Sequence, residues 1–128
     1  MSYTIDRTIS GSSFEEVEQR TREALGKQGF GVLTEIDVQA TMKKKIGVDM
    51  PRYLILGACN PQFAYQAIGV EPKVGAMLPC NVILREVGDS VEVSAVDPQA
   101  SMAEIKNQDL ASVAGEVRGM LEEAVRTI

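Results

Sequence analysis

Seven consecutive uncharged residues at positions 53–59, Tyr-Leu-Ile-Leu-Gly-Ala-Cys, constrain the fold of this chain more than any other feature. A strand without charged residues has little room for a solvated face, so we predict that it lies inside a sheet with both faces covered. Asn60 and Pro61 end the strand, and Pro61 suits the first position of a helix. The rest of the chain must therefore supply strands on both sides of residues 53–59.

Four further strands are indicated by alternating or continuous apolar runs, at residues 2–10, 30–39, 80–87 and 90–96. Four helices are indicated by helical spacing of apolar residues, at residues 14–28, 38–46, 62–68 and 110–128. The order β-α-β-(α)-β-α-β-β-α has too few helices for a doubly wound parallel sheet. We predict an α+β fold: a five-stranded, mostly antiparallel sheet with helices packed on one face.

Two helix starts are ambiguous in the sequence. The first helix has two overlapping capping boxes, Ser13 with Glu16 and Ser12 with Glu15, and Gly29 suits its left-handed end. The last helix begins after either Ser101 or Asn107, because both residue types cap helices.

Composition narrows the function classes. A chain of 128 residues fits a single domain over residues 1–128. The formal charge of −5 disfavours nucleic acid as a partner. No His occurs, so a Ser-His-Asp triad, a Cys-His dyad and a His-containing zinc site are excluded within the chain. No apolar run reaches the length of a signal peptide core or a membrane span, so we expect a cytoplasmic protein without a membrane partner.

Both cysteines lie in related phrases, Cys59-Asn60-Pro61 and Pro79-Cys80-Asn81. If the two strands pair antiparallel, the end of one and the start of the other meet at one edge of the sheet. These six residues are our candidate binding site. Cys59 directly precedes a helix start, where peptide N–H groups favour a thiolate and can bind an anion.

The chemistry of this site stays open in the sequence. The two thiols could form a redox couple, a soft-metal site or a reactive thiol beside an anion pocket. They could equally be structural, since free Cys packs as a small hydrophobe. We expect no metal, because two thiolates fall short of a four-ligand zinc site. We also expect no cofactor, since the chain has no phosphate-binding loop of the form GxxxxGK[ST].

Two charged groups have weaker functional interpretations. Glu35 and Asp37 are two residues apart, so a strand places both carboxylates on one face, where paired carboxylates can do acid–base chemistry. A solvated strand face explains them as well. The lysine run at residues 43–45 is typical of a solvated surface, and an anion site shared with Arg52 is the alternative.

The second face of the central strands predicts a partner. Residues 53–59 are apolar throughout, and the strand at 80–87 carries apolar residues on both sides. If helices cover only one face, something else covers the other. We expect a homodimer in which the open faces or edges of two sheets meet.

Three phrases together resemble a known family: Leu-Ile-Leu-Gly-Ala-Cys-Asn-Pro at residues 54–61, Pro-Cys-Asn-Val at 79–82 and Glu-Ile-Asp-Val at 35–38. They resemble the domain of unknown function 302 family over nearly the whole chain. The resemblance implies a small α+β domain of the TATA-binding-protein-like fold class, often dimeric. It implies no reaction and no ligand, because the family has no settled activity.

Two function classes follow from these residues. The first is a dimeric binding module for a small-molecule ligand or a partner, at the two cysteine phrases. The second is a thiol-dependent redox protein or enzyme that uses Cys59, Cys80 or both. Whether the chain is an enzyme stays open in the sequence. A purely structural or assembly role is the third interpretation.

Overall fold

The computed structural model describes residues 2–128 and builds them around one five-stranded sheet. The strands are Thr4–Ser10 (β1), Gly31–Asp37 (β2), Tyr53–Cys59 (β3), Cys80–Val87 (β4) and Ser90–Val96 (β5). The helices are Phe14–Lys27 (α1), Val38–Ile46 (α2), Pro61–Val70 (α3), Pro98–Ser101 (α4) and Gln108–Arg126 (α5). A 3₁₀ helix, Pro72–Met77, lies between α3 and β4.

All neighbouring strands of the sheet are antiparallel, in the order β1-β5-β4-β3-β2. This arrangement confirms the predicted α+β fold with a mostly antiparallel sheet. β3 lies between β4 and β2, inside the sheet, as its uncharged sequence predicts. β1 and β2 form the two edges.

One face of the sheet packs against α1 and α5 to form the main core. Leu56 of β3, Leu84 of β4 and Val93 of β5 are 0% exposed there, and Leu121 of α5 meets them from the helical layer. Burying each such side chain contributes about 1.5–3 kcal/mol. This face, which we call the covered face, supplies most of the driving force for folding.

Side-chain caps set the helix starts. The Ser13 hydroxyl accepts a hydrogen bond from the Glu16 N–H, and the Glu16 carboxylate accepts one from the Ser13 N–H. The Ser13–Glu16 capping box is therefore the one that forms. Asn107 caps α5, whereas Ser101 ends α4, so the Ser101 alternative is wrong. Gly29 adopts φ +84° after α1, as predicted.

The C-terminal end of α5 is tied to β1. Arg7 Nη1 donates to the carbonyls of Val125, Arg126 and Ile128, at 3.3, 2.9 and 2.7 Å. Arg20 of α1 also donates to the Ile128 carbonyl, at 3.1 Å. Carbonyls at the C-terminal end of a helix lack hydrogen-bond donors within the helix. Arg7 and Arg20 supply these donors and thereby fix α5 across the sheet.

Within the described chain, the second face of β3 is only partly covered. Tyr53 and Ile55 are half-buried on this face. Gly57 is the exception: a Cβ built there would lie 2.1 Å from Thr34 Oγ1 and 2.7 Å from Pro79 Cγ. We call this side of the sheet the uncovered face. Within residues 2–128, no helix has the length and apolarity needed to cross a membrane.

Candidate functional site

The covered face meets a smaller hydrophobic cluster where α3 packs against α5. That cluster contains Ala67, Val74, Met102, Leu110 and Ala114. A cavity of about 40 Å³ lies in the seam between it and the main core. We call it the seam cavity. Its residues lie on β3, α3, β4 and α5 and in the segments that join them, so it exists only where these elements come together.

Both cysteines line the seam cavity. Cys80 pairs with Ala58 across β3 and β4, which brings the two thiol-bearing residues to the same end of the sheet, as predicted. Cys80 is buried and Cys59 half-buried, and both are free. Burial, and to a lesser degree the neighbouring Cys59, raise the pKa of the Cys80 thiol to about 11. Cys80 is therefore protonated at neutral pH.

Asn60 lines the cavity, but its amide is already occupied. Its Oδ1 accepts from the Phe63 N–H at 3.5 Å and caps α3. Its Nδ2 donates to the Gln28 carbonyl at 3.3 Å. A Cβ built at Gly29 would lie 3.0 Å from this Nδ2, which is a tight contact. The amide thus locks the start of α3 to the end of α1 rather than facing a ligand.

Three residues of the candidate site take different positions. Pro79 lines the cavity and also covers Gly57, and it follows a cis peptide bond. Pro61 is the exposed first residue of α3 and lies outside the lining. Asn81 points to the uncovered face, since it follows Cys80 in a strand and successive side chains alternate. The structure therefore brings Cys59, Asn60, Pro79 and Cys80 together and leaves Pro61 and Asn81 out.

The apolar lining was not expected from the sequence. It comes from two aromatic residues, Phe30 and Phe63, and from aliphatic side chains of Leu78, Met102, Leu110, Val113 and Val117. The wide apolar stripe of the last helix contained this information. Leu110 and Ala114 belong to the cluster with α3, whereas Val117, Leu121, Ala124 and Val125 belong to the main core against the sheet. The periodicity of the sequence reveals the apolar stripe of the last helix. It does not reveal that one part of this stripe packs against α3 and the other part against the sheet.

The two candidate carboxylates have structural partners. Glu35 forms an ion pair with Arg22 of α1, with Oε2 and Nη2 2.7 Å apart. Asp37 caps α2 by accepting from the Ala40 N–H at 2.9 Å. Both lie beside a polar depression of about 110 Å³ that also contains Glu18 and Arg52. Glu35 and Asp37 therefore have separate structural partners.

The lysine run is exposed on α2. Lys43 Nζ lies 3.0 Å from Asp49 Oδ1, in an ion pair. Arg52 instead pairs with Glu15 and places its guanidinium carbon 4.0 Å from the centre of the Phe14 ring. The positive charge of Arg52 therefore interacts with residues of α1. Within residues 2–128, no group of three or more Cys, Asp and Glu side chains is arranged to hold a metal ion.

Comparison with known proteins places the chain in a family and a fold. The model of the family described as "Domain of unknown function DUF302" matches residues 5–128. No curated protein matches the chain. A solved structure described as an uncharacterized conserved protein DUF302 from Bacillus stearothermophilus is 24% identical, with a TM-score of 0.87. The alignment covers 96% of this chain and 97% of that one, and at this identity the likeness concerns the fold.

Proposed function

This chain belongs to the DUF302 family, a family of unknown function, and we propose that it is a homodimeric binding module that takes a small apolar ligand in the seam cavity. One observation supports this above all: the cavity joins two hydrophobic clusters and is lined almost entirely by apolar side chains and two thiols. Ligand sites are mostly apolar with few polar groups. Enclosed apolar cavities also stay dry and accept apolar guests.

The size of the cavity limits the ligand. About 40 Å³ corresponds to roughly three water-sized groups. The guest is therefore a very small apolar molecule or the alkyl end of a larger one. Val113 lines both this cavity and a surface groove of about 500 Å³ between α3 and α5. A ligand can enter past Val113, with its remainder in the groove.

Xenon is a suitable probe, because it binds apolar cavities without hydrogen bonds. We expect xenon to shift the NMR signals of Ala58, Ala67 and Val113, which surround the cavity. Ala64→Leu fills the cavity from α3 and abolishes the shifts. Ala111→Leu is the matched control, since Ala111 is exposed on α5. If the two variants respond to xenon alike, or the wild type does not respond, the seam cavity is not a binding site.

The proposed dimer uses the β2 edge and α2. Neither element has a buried residue. This edge nevertheless exposes five large apolar side chains by 36–67%: Leu33, Ile36, Met42, Ile46 and Val48. An exposed apolar patch next to a free strand edge favours association.

Sedimentation at micromolar concentration tests the dimer. We expect a dimer for the wild type and a monomer for Leu33→Lys and Ile46→Lys, which place charges in the contact. Val70→Lys is the control, since Val70 is 38% exposed on α3. A monomeric wild type contradicts the proposal, and loss of the dimer only in Val70→Lys places the contact elsewhere.

A thiol-dependent redox protein is the competing function. The observation that supports it is that both thiols line one cavity. Both thiols are also free, which is compatible with a reducing, cytoplasmic location. The raised pKa of Cys80 opposes it, because the thiolate is the reactive form. Alkylation of the native protein at neutral pH distinguishes the two functions. Slow labelling of both thiols, released by denaturant, favours the binding module, and rapid labelling of either favours redox chemistry.

A further inference from the structure

The uncovered face of the sheet holds a depression of about 540 Å³, which we call the sheet basin. It lies on the opposite side of the sheet from α1 and α5. Its walls and floor come from β1, β5, β4 and β3, together with Tyr3 just before β1. Volumes of 300–1,000 Å³ are typical of small-molecule sites. The sheet basin is therefore large enough for a whole small molecule, whereas the seam cavity holds only a very small guest.

Strand register brings polar groups together on the floor of the basin. Asp6 of β1 pairs with Ser94 of β5, and Ser94 pairs with Ile83 of β4. In the next row, Glu92 pairs with Arg85, and Arg85 pairs with Tyr53. Residues directly opposite one another in an antiparallel sheet have neighbouring side chains. The basin thus combines an apolar floor at Ile83 with hydrogen-bonding groups at its sides.

Several of these polar groups are free. Across residues 2–128, the side chains of Asp6, Asn81 and Ser94 make no hydrogen bond to another protein group. Ser94 lines the basin although it is only 5% exposed. Arg85 differs from them, because its Nε donates to Glu92 Oε1 at 2.7 Å. A carboxylate, an amide and a hydroxyl therefore remain available to a molecule that enters the basin.

Two tyrosines provide an aromatic surface at the rim. The Tyr3 side chain is 71% exposed, yet its backbone is held in place because its carbonyl accepts from the Asp97 N–H at 2.8 Å. Tyr53 is half-buried on β3. Aromatic rings offer a large, rigid contact area to the apolar side of a ring-shaped ligand.

We propose that the sheet basin binds an uncharged polyhydroxylated ring, such as a monosaccharide unit. Sugar hydroxyls both donate and accept, so they can satisfy the acceptor-only Asp6 carboxylate, the Asn81 amide and the Ser94 hydroxyl together. The C–H face of the ring packs on tyrosine. Anions are disfavoured, because the two carboxylates of Asp6 and Glu92 outnumber the one guanidinium of Arg85. The site is independent of the seam cavity and of the proposed dimer edge.

The test is NMR titration of the ¹⁵N-labelled full chain with glucose, galactose, N-acetylglucosamine and xylose at millimolar concentration. We expect at least one sugar to shift signals of residues 3–6, 53, 81–85 and 92–96 together. Asn81→Ala and Asp6→Asn each remove part of the hydrogen bonding and weaken binding by about tenfold, the loss typical of one good hydrogen bond. Tyr3→Ala weakens it as well.

Tyr65→Ala is the matched control, because Tyr65 is 83% exposed on α3 and lies outside the basin. It must bind the sugar as the wild type does. Absence of basin shifts with every sugar overturns the proposal. Shifts produced by tetramethylammonium but by no sugar also overturn it and assign the basin to organic cations. Folding of each variant is verified by its unchanged spectrum outside the basin.

Discussion

β3 and β2 are neighbouring strands of seven residues each, yet they have opposite environments. β3 buries Leu54, Leu56, Gly57 and Ala58, whereas β2 buries nothing. Apolarity alone does not explain this, because β2 carries Val32, Leu33 and Ile36. β2 forms an edge of the sheet, whereas β3 has a strand on each side. Glu35 of β2 forms an ion pair with Arg22 of α1. Position in the sheet, more than composition, decides burial.

The largest expected effect separates the two strands directly. Leu56→Ala should lower the free energy of unfolding by about 2–5 kcal/mol, because Leu56 is 0% exposed and its removal leaves a cavity. Ile36→Ala should cost less than about 1 kcal/mol, since Ile36 is 48% exposed. Urea unfolding at low protein concentration, where the proposed dimer dissociates, measures both. Equal losses would mean that Ile36 is buried in solution and that the contrast between the strands is absent there.

The contrast between buried and exposed positions also predicts how stability depends on pH. Cys80 is the residue that matters, because it pairs with Ala58 on the buried side of β3. Its pKa rises from 9.0 to about 11 in the folded state, so the unfolded chain loses the proton first. The stabilisation from this group is therefore complete below pH 9 and falls as the pH rises towards 11, by up to about 3 kcal/mol.

Urea unfolding of the wild type and Cys80→Ala over this pH range measures that effect. The variant should lose less stability than the wild type as the pH rises, whereas Cys59→Ala should retain most of the dependence. Parallel curves for the wild type and Cys80→Ala would contradict a buried thiol.

Gly57 of β3 pairs with Thr34 of β2 and lies beside Pro79. Gly57→Ala should destabilise the protein by about 1–3 kcal/mol, because the new methyl group meets Thr34 and the rigid Pro79 ring. Gly119→Ala is the control in α5, where nothing lies within 4 Å of the new Cβ. It should leave the protein unchanged or stabilise it by up to about 1 kcal/mol. Thermal unfolding compares the two, and a harmless Gly57→Ala would mean that Pro79 can move aside.

The smallest effect belongs to the exposed strand. Leu33→Ser should change the unfolding free energy of the monomer by no more than about 0.5 kcal/mol, because Leu33 is 67% exposed. Unfolding at low protein concentration measures this without a contribution from association. A loss comparable to that of Leu56→Ala would show that β2 belongs to the core.

Much of the fold could be predicted from local patterns. Alternation and helical spacing placed every strand and the four longer helices, and the Ser13–Glu16 box and Gly29 marked the limits of α1. The 3₁₀ helix at Pro72–Met77 and the short α4 were missed, because such short elements have no periodicity to detect. The choice between Ser101 and Asn107 also required the structure, since both residues suit a cap.

By itself, the sequence determined the five strands and the four longer helices, the antiparallel α+β class, the meeting of the two cysteines at one end of the sheet and the absence of histidine chemistry. These depend on residue type and on short-range spacing. Only the tertiary structure decided that the Asn60 amide donates to the Gln28 carbonyl at the end of α1, and that α5 is shared between the sheet and α3. Those outcomes depend on contacts between residues far apart in the chain, which no local pattern encodes.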